Sequence, residues 1–363
     1  MMLYVIEILA QAFAAYLIGS IAFDLVHYLF HCFLESNNKI LKTIGYIHLF
    51  HHRFYTSELK IQPEWSKKNL LYHVCTEYLV HILAISTCAL FFNPIAIIGA
   101  ILFETCIFLS VCYCRGQDAH HKAFDVLPAY RGGVFVSAEY HAMHHLHPTK
   151  FFSSIIRLFD WILGSAYHLK GKHIVMTGSH GALGSHMKKL LEQEGAVVTC
   201  FKYGLDYNYD NYENLTEKLR TADILFLCHG SKVENAQQAN CDSFVSIIEL
   251  FKKVCKPSKE PLEIWGVGSE IECHPCFGIK KIKIYAASKR NYAKFARSYY
   301  RDKNIQYRHL VHSAFISPMG PGLMTASFAA RMTLFFIKRG FKYVPVTYTG
   351  FAFLNYFRFF LNK

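Results

Sequence analysis

Several motifs of well-known metalloenzyme classes are missing from this sequence, and each absence excludes a class. No H-E-x-x-H occurs, which excludes the zinc proteases that bind their metal with two helical histidines and use the glutamate as a base. No Glu-x-x-His occurs either, which excludes the soluble di-iron bundles that carry this motif on facing helices. A single CxxC is present at Cys273 and Cys276. Without a second pair it is a weak indication of structural zinc or redox activity.

Acidic residues are also scarce. The 363 residues include 39 Lys and Arg against 26 Asp and Glu, which gives a net charge of +13 with histidine neutral, and 52% are hydrophobic. A basic, aromatic-rich chain is typical of proteins that meet an anionic membrane surface or nucleic acid. No nucleic-acid-binding motif occurs, so we expect a membrane and no nucleic-acid partner. The twelve cysteines are scattered, which indicates reduced thiols rather than a disulfide framework.

Three apolar runs are long enough to cross a bilayer as helices, at residues 2–23, 70–92 and 94–114. The first run lacks the basic start of a signal peptide, so we predict that it is a retained span. The loop 24–69 is rich in lysine, whereas the hairpin tip at 93–94 carries no charge. The positive-inside rule therefore predicts an integral, multi-pass membrane protein with an external N-terminus and catalytic domains on the cytoplasmic side.

Histidine is the residue type that the first 145 residues have in excess. The pattern H-x-x-H-H occurs at 48–52 and again at 141–145, after an earlier i, i+4 pair. Positions i, i+3 and i+4 share a helix face, so we predict that each motif directs its three rings at one spot. Eight or more imidazoles are too many for one tetrahedral zinc and fit two metals. The candidate ligands are His27, His31, His48, His51, His52, His120, His121, His141, His144 and His145.

The order H-x-x-x-H, H-x-x-H-H, H-x-x-H-H resembles the membrane fatty acid hydroxylase/sterol desaturase superfamily over residues 1–168. The segment 159–165, Phe-Asp-Trp-Ile-Leu-Gly-Ser, also resembles the one that follows the last histidine motif in that family. The resemblance implies an α-helical membrane domain with a non-haem di-iron site that activates O₂ to hydroxylate or desaturate a lipid. It also implies an external electron donor, ferredoxin-like or cytochrome-like. Iron or zinc loading stays open.

A polar stripe runs through the second and third apolar runs. His73, Glu77 and His81 are spaced i, i+4 and i+8, and Glu104 lies at a similar depth to His81. Ionisable groups at that depth cost about 2.5–3.5 kcal/mol each unless they have partners. One interpretation is a hydrogen bond between helices, from His81 to Glu104. The other is that these residues support the metal site or line a substrate channel.

A second domain begins where the composition changes near Gly171. A short apolar strand, the turn Thr177-Gly178-x-x-Gly181-x-x-Gly184, a helix and a second strand predict an α/β Rossmann-like fold with a parallel sheet. The glycines would let the backbone approach a pyrophosphate at the helix N-terminus. Lys202 stands where an acidic residue would bind the ribose of NAD. We therefore favour NADP(H), with NAD(H) as the alternative, and expect Thr177, the three glycines and Lys202 to be the cofactor-binding residues.

Tyr285 and Lys289 are four residues apart on a predicted helix. An ammonium beside a phenol lowers the pKa of the phenol, so we expect Tyr285 to titrate closer to neutral pH. With Ser269 after the fourth strand, these residues resemble the short-chain dehydrogenase/reductase family over 169–325. The resemblance implies that Tyr285 is the acid/base, Lys289 its partner, Ser269 the group that holds the substrate oxygen, and Asn240 part of a proton relay.

Two features depart from that family's pattern. The third glycine of the turn follows the variant spacing, and Cys228-His229-Gly230 replaces the usual Asn-Ala-Gly after a central strand. A Rossmann scaffold that binds nucleotide without chemistry is therefore an alternative. The remaining segment, 326–363, is aromatic and basic, and we predict an interfacial tail or a lid, with a buried core segment as the alternative.

The order of the two domains resembles the bacterial bifunctional sterol desaturase/short-chain dehydrogenase proteins. It implies a membrane oxidoreductase that modifies a sterol-like or fatty acyl lipid and then oxidises an alcohol or reduces a carbonyl on it. Two alternatives remain open at this point. One is an aldehyde-processing enzyme like the plant wax decarbonylases, and the other is a non-catalytic interaction subunit that retains both folds.

Overall fold

The computed structural model describes residues 1–130, 132–233, 235–256 and 258–361. The chain divides into two compact units, described separately below. The first comprises residues 1–127 and 133–168, and the second comprises 128–132 and 169–363. The prediction of a helical domain with apolar helices and a histidine-rich site, followed by an α/β domain with a parallel sheet, is confirmed.

The first unit is helical. Three of its helical stretches are long and apolar enough to cross a membrane, at Met2–Leu34, Pro63–Leu90 and Pro94–Tyr113. The stretch Pro63–Leu90 contains a π-helical turn at Leu70–Val74. The helices are α1 (Met2–Leu34), α2 (Lys39–Phe54), α3 (Ser66–Asn69), α4 (Cys75–Thr87), α5 (Pro94–Tyr113), α6 (Ala138–Leu146) and α7 (Leu158–Leu163).

Helix α1 extends eleven residues beyond the apolar run that the sequence predicted to end at residue 23. The apolar run of the sequence ends at residue 23 because the next residue is Asp24, and this aspartate is fully buried. One Asp24 carboxylate oxygen accepts hydrogen bonds from the backbone N–H and the hydroxyl of Ser154, at 2.8 and 2.7 Å. These hydrogen bonds lower the cost of burying the carboxylate within α1, which continues to the two histidines on its last turns.

Local capping fixes the helices that carry the other histidines. The Asn38 side chain accepts hydrogen bonds from the first backbone amides of α2, and the Ser137 hydroxyl accepts one from Tyr140 in α6. Such caps satisfy amides that have no partner inside the helix. The Asn93 side chain caps α5 in the same way, by accepting a hydrogen bond from the backbone N–H of Ile95, and Pro94 occupies the first turn of that helix.

The second unit is built on a six-stranded parallel sheet. The strands of this sheet are β1 (His173–Thr177), β2 (Val197–Phe201), β3 (Ile224–Leu227), β4 (Leu262–Val267), β5 (Ile305–His312) and β8 (Tyr343–Val346). Their order across the sheet is β2-β1-β3-β4-β5-β8. The strand order reverses between β1 and β3, and ligands of such sheets bind at the carboxyl ends of the strands at this point. The short pair β6 (Phe315–Ile316) and β7 (Met324–Thr325) lies outside this sheet.

Helices cover the sheet, and two of them lie in the segment 326–363, for which the sequence predicted an interfacial tail or a lid with a buried core segment as the alternative. The helices are α8 (Ala182–Gln193), α9 (Thr216–Arg220), α10 (Ser243–Val254), α11 (Lys280–Arg301), α12 (Ala326–Lys338) and α13 (Phe351–Leu361). Residues 343–346 form a buried edge strand paired with β5. The segment 326–346 is thus part of the domain core, because its aliphatic and aromatic residues complete the sheet and its helical layer. In α13, Phe353 and Leu354 are exposed.

Candidate active sites

Nine of the ten predicted metal ligands form two clusters in the first unit. Within each cluster, the ligand nitrogens lie within 4.8 Å of one another. The first cluster consists of His27, His31, His48, His52 and His144, and the second of His51, His121, His141 and His145. The tenth predicted ligand, His120, lies outside both clusters, with its ring 6.2 Å from that of His141. It lines the adjoining cavity instead.

Each H-x-x-H-H motif serves both clusters, which differs from the expectation that its three rings meet at one spot. In α6, His144 belongs to the first cluster, whereas His141 and His145 belong to the second. In α2, His51 belongs to the second cluster. The reason is geometric: positions i and i+4 lie nearly above one another, whereas position i+3 is displaced around the helix. One motif can therefore bind two adjacent ions.

The hydrogen bonds of His27 and His144 show that a cation fits the first cluster. The Nδ1 atom of His27 donates to the carbonyl of Phe152 at 3.0 Å, and that of His144 donates to the carbonyl of Lys150 at 2.8 Å. A neutral imidazole has one N–H, so both Nε2 atoms carry lone pairs. These Nε2 atoms are only 3.0 Å apart. Two facing lone pairs repel unless a cation lies between them.

The second cluster has the same arrangement. The Nδ1 atom of His121 donates to the Asp118 carboxylate at 2.7 Å, and that of His51 donates to the Asn69 side-chain oxygen at 3.2 Å. The two Nε2 atoms face each other at 3.4 Å. Burial and neighbouring imidazoles hold the pKa of His51 and of His144 well below the usual value. Protonation of these two rings therefore does not relieve the repulsion at neutral pH.

The nitrogen spacings match a metal coordination shell. Ligands about 2.0–2.1 Å from a metal lie about 2.9–3.4 Å apart at right or tetrahedral angles. The Nε2 atom of His145 is 3.1 Å from that of His51 and 3.1 Å from that of His141. The Nε2 atoms of His48 and His144 lie 3.1 and 3.2 Å from that of His52. Both clusters therefore fit one metal ion each.

Sequence reasoning missed the residues that hold these rings in place. Asp118 stands two residues before the His120-His121 doublet, and this nearness was a usable signal, whereas Asn69 gives none. Asp160 lies in the segment that carried the family resemblance. Its carboxylate accepts hydrogen bonds from the amides of Phe152 and Ser153 and from the hydroxyls of Tyr140 and Ser165. It thereby fixes the loop whose Phe152 carbonyl orients His27.

A cavity of about 310 Å³ adjoins both clusters within the first unit. Its wall includes His27 from the first cluster and His121 and His141 from the second. Most of the remaining wall is apolar or aromatic, as in Phe108 and Phe152. The volume falls at the lower end of the usual range for small-molecule pockets, roughly 300–1,000 Å³. The arrangement can hold an apolar chain against the metal-binding histidines.

In the second unit, the glycine turn connects β1 to α8 and has no room for side chains. Gly178 adopts a φ of +70°, and a Cβ there would lie 2.6 Å from the Cys228 carbonyl group. A Cβ on Gly184 would lie 2.1 Å from the Gly178 carbonyl oxygen. Gly181 is the N-cap of α8, and Thr177 ends β1. This turn at the carboxyl edge of the sheet fits a dinucleotide pyrophosphate.

Lys202 follows β2 directly and is exposed. Its backbone N–H donates to the Asp206 carboxylate at 2.8 Å, and Asp206 also lies 3.8 Å from Lys218. Sequence reasoning did not place this carboxylate near the end of β2. The Lys202 side chain is exposed, so its ammonium is accessible to a 2′-phosphate.

Tyr285 and Lys289 lie one turn apart on α11, and Ser269 lies just beyond β4. The Ser269 hydroxyl hydrogen-bonds Tyr285, but burial outweighs this contact and raises the pKa of Tyr285 to about 12. The expected fall in this pKa is therefore wrong for this arrangement. The Lys289 ammonium donates to the Val267 carbonyl at 2.8 Å, and burial lowers the pKa of Lys289 to about 8.

The departure at Cys228-His229-Gly230 has a structural explanation. His229 hydrogen-bonds the hydroxyls of Thr177 and Ser243, at 2.7 and 2.8 Å, and thus ties the ends of β1 and β3 to α10. Asn240 lies in a π-helical turn at Gln238–Asp242. Its side chain donates to the Ser231 carbonyl and to the Ser288 hydroxyl, at 2.7 and 3.0 Å, so it braces α11 one turn from Tyr285.

No family model matches the chain. The chain is 28% identical over 251 residues to the monoglucosyldiacylglycerol epimerase of Synechocystis sp. (strain ATCC 27184 / PCC 6803 / Kazusa), and the alignment covers 61% of this chain. The chain spans 60% of the length of that relative.

Solved structures that the chain resembles include short-chain dehydrogenases. One from Burkholderia cenocepacia J2315, in complex with NADP, is 15% identical with a TM-score of 0.43, covering 51% of this chain and 93% of that one. A dehydrogenase/reductase from Sinorhizobium meliloti 1021 is 17% identical with a TM-score of 0.40, covering 48% and 90%.

Proposed function

We propose that the chain is a membrane-bound lipid oxidoreductase with a di-iron site in the first unit and an NADP(H)-dependent site in the second. The observation that supports it most is that imidazole Nε2 lone pairs face each other in both clusters. The Nε2 atoms are 3.0 Å apart in His27 and His144 and 3.4 Å apart in His51 and His121. The cavity beside these rings has an apolar wall suited to a lipid chain.

Two irons held by the nine clustered histidines would supply O₂ activation and attack on a lipid C–H bond, with electrons from a ferredoxin-like or cytochrome-like donor. The protein's own part is to hold the rings and to keep water away. The carbonyls of Lys150 and Phe152 and the Asp118 carboxylate fix three Nδ1–H groups. Such outer partners set the direction of a ligand's lone pair and raise its basicity.

The test is metal content. Purified wild type should carry about two irons per chain, and His144→Ala should lose metal because the first cluster loses a ligand that contacts both His27 and His52. His120→Ala is the matched control, since His120 lies outside both clusters. Metal content that is unchanged in His144→Ala would contradict the assignment of the clusters.

In the second unit, NADP(H) would supply hydride transfer. Tyr285 would exchange a proton with the substrate oxygen, and Ser269, which hydrogen-bonds Tyr285, would hold that oxygen. A phenol with a pKa of about 12 is protonated at neutral pH, so this site favours proton donation to a carbonyl. Sharing one membrane-held lipid would raise the effective concentration of the intermediate.

A second candidate function is epimerisation of a glycolipid hydroxyl, and the name of the 28%-identical relative favours it. Oxidation of a C–OH to a ketone followed by reduction from the other face inverts the carbon with no net redox change. Lipid analysis in ¹⁸O₂ separates the two functions. An oxygenase transfers ¹⁸O to the lipid when it hydroxylates, or consumes O₂ when it desaturates. An epimerase changes a headgroup without consuming O₂.

The proposed function also requires both units to face the cytoplasm. We expect cysteines placed at Lys60 and Gly171 to react with an impermeant thiol reagent only from the cytoplasmic side, and one at Asn93 only from outside. The reason is the alternation of the three helical stretches that can cross a membrane. Lys60 and Gly171 on opposite sides would contradict the three-span arrangement.

A further inference from the structure

The cavity of the first unit has a polar end that neither metal cluster uses. Glu77, His81 and Glu104 line it, beside Tyr16. The His81 Nδ1 atom lies 3.2 Å from the Glu104 carboxylate, and the His81 side chain is only 2% exposed. Among the described residues, neither ring nitrogen of His81 has a hydrogen-bond partner of good geometry. A buried polar atom without a partner, on a cavity wall, indicates a ligand group.

This polar end lies at a defined distance from the metal-binding histidines. The ring of His73 stacks on that of His51, with 3.8 Å between centroids. Glu77 and His81 follow His73 by one and two helical turns, which is on the order of 6 and 12 Å along the axis. A ligand that reaches from the polar end to the clusters therefore has a polar group on the order of 12 Å from the carbon beside the metals.

The charges of the wall select the ligand group. Glu104 lies 3.2 Å from the His81 imidazole and Glu77 lies 3.8 Å from the His73 imidazole, and among the described residues no lysine or arginine lines the cavity. A fatty-acid carboxylate or a phosphate would be repelled there. A hydroxyl donates to a carboxylate and accepts from an imidazole N–H, so it satisfies both kinds of wall group.

We propose that this cavity binds a lipid through a hydroxyl group held at the polar end by Glu77, His81 and Glu104. The chain of that lipid then lies along Phe108 and Phe152 toward the histidine clusters. The distance from this hydroxyl selects the position that reacts. The inference rests on the proposed function, because the lipid in the cavity is the substrate of the metal site.

Binding of matched probes tests the proposal. We would titrate purified full-length protein in detergent with 1-hexadecanol and with its methyl ether, which cannot donate a hydrogen bond, and count bound ligand by native mass spectrometry. One charge-assisted hydrogen bond corresponds to about a ten- to hundredfold preference for the alcohol. Glu104→Leu should abolish this preference, and Glu77→Leu should reduce it. Glu7→Leu is the control, because it removes an exposed carboxylate from α1 away from the cavity.

Each outcome decides the proposal. An equal alcohol-to-ether ratio in wild type and Glu104→Leu would overturn it and leave His81 and Glu104 as a contact between helices. Stronger binding of hexadecylamine than of hexadecanol would overturn the hydroxyl assignment. If Glu104→Leu does not fold, Glu77→Leu answers the same question. The His144→Ala variant should keep the alcohol preference, so a failure of the metal assignment and a failure of this inference give different results.

Discussion

Lys289 offers a quantitative test of the second unit, because its ammonium is buried and, among the described residues, it donates to a backbone carbonyl rather than to a carboxylate. The side chain is 2% exposed, and its pKa falls from 10.5 to about 8 through burial. That difference disfavours the ionised form in the folded state by about 3 kcal/mol. Between about pH 8 and pH 10.5 the unfolded chain binds more protons than the folded one. Stability should therefore rise with pH across this window, and the penalty is complete below it.

The perturbation is Lys289→Met, which keeps the length of the side chain and removes its charge. Relative to this variant, the free energy of unfolding of wild type should increase by about 3 kcal/mol between about pH 8 and pH 10.5. At pH 7 the variant should be more stable by only about 1–2 kcal/mol, because the Val267 carbonyl loses the donor that now lies at 2.8 Å.

Trp265 makes the measurement specific to the second unit. It is fully buried in β4, whereas Trp65 and Trp161 lie in the first unit. In a chain with both of these changed to Phe, the fluorescence of Trp265 during urea unfolding reports on the sheet alone. Lys294→Met, an exposed position on the same helix, is the control and should follow wild type. Parallel pH profiles for wild type and Lys289→Met would refute the reasoning.

Three further predictions follow from the sites. Tyr285→Phe should lower turnover of the second site by about 10²–10⁴ with NADPH affinity unchanged in titration; lost affinity would mean that the tyrosine contacts the cofactor instead. Asp118→Asn should weaken metal binding by about 10–100-fold in chelator competition, because the Nδ1–H of His121 loses its charged acceptor at 2.7 Å; equal retention would show that this contact does not orient the ring. Gly184→Ala should abolish NADPH binding and lower the unfolding midpoint, since the new Cβ would lie 2.1 Å from the Gly178 oxygen; a silent variant would argue against the tight turn.

The sequence predicted the first four strands of the sheet and missed β5. Strands β1 to β4 are short apolar runs bounded by turn residues, a pattern typical of buried parallel strands. Strand β5 reads Ile-Gln-Tyr-Arg-His-Leu-Val-His, yet all eight residues are buried. Its polar side chains are accommodated by tertiary partners: Arg308 donates to Glu263, and His309 to Glu272, both at 2.7 Å. Such partners lie far away in sequence, so local hydropathy could not reveal the strand.

For the metal site, histidine spacing predicted which residues gather but not how they divide. The side chain at position i+3 points in a different direction around the helix axis from those at i and i+4. Sequence spacing alone did not reveal that this difference places His144 in the first cluster and His141 and His145 in the second. Two of the four ring anchors are the backbone carbonyls of Lys150 and Phe152, and because every residue has a carbonyl, no sequence signal marks them. The other two are the side chains of Asp118 and Asn69, and of these only Asp118, beside the histidine doublet, gave a usable signal. The pKa of Tyr285 was predicted with the wrong sign because spacing on α11 does not tell where the Lys289 ammonium points.

The contact between His27 and His144 joins positions 117 residues apart, and this separation has a consequence for biosynthesis. A chain made from its N-terminus completes α1 long before α6 leaves the ribosome. Until then, the imidazoles of α1 and α2 lack the ligand that completes the first cluster, and loop closure over so long a segment is entropically costly. Under the proposed function, metal loading is therefore a late maturation step. A nascent fragment that ends before α6 would give up its metal to a chelator that the finished chain resists.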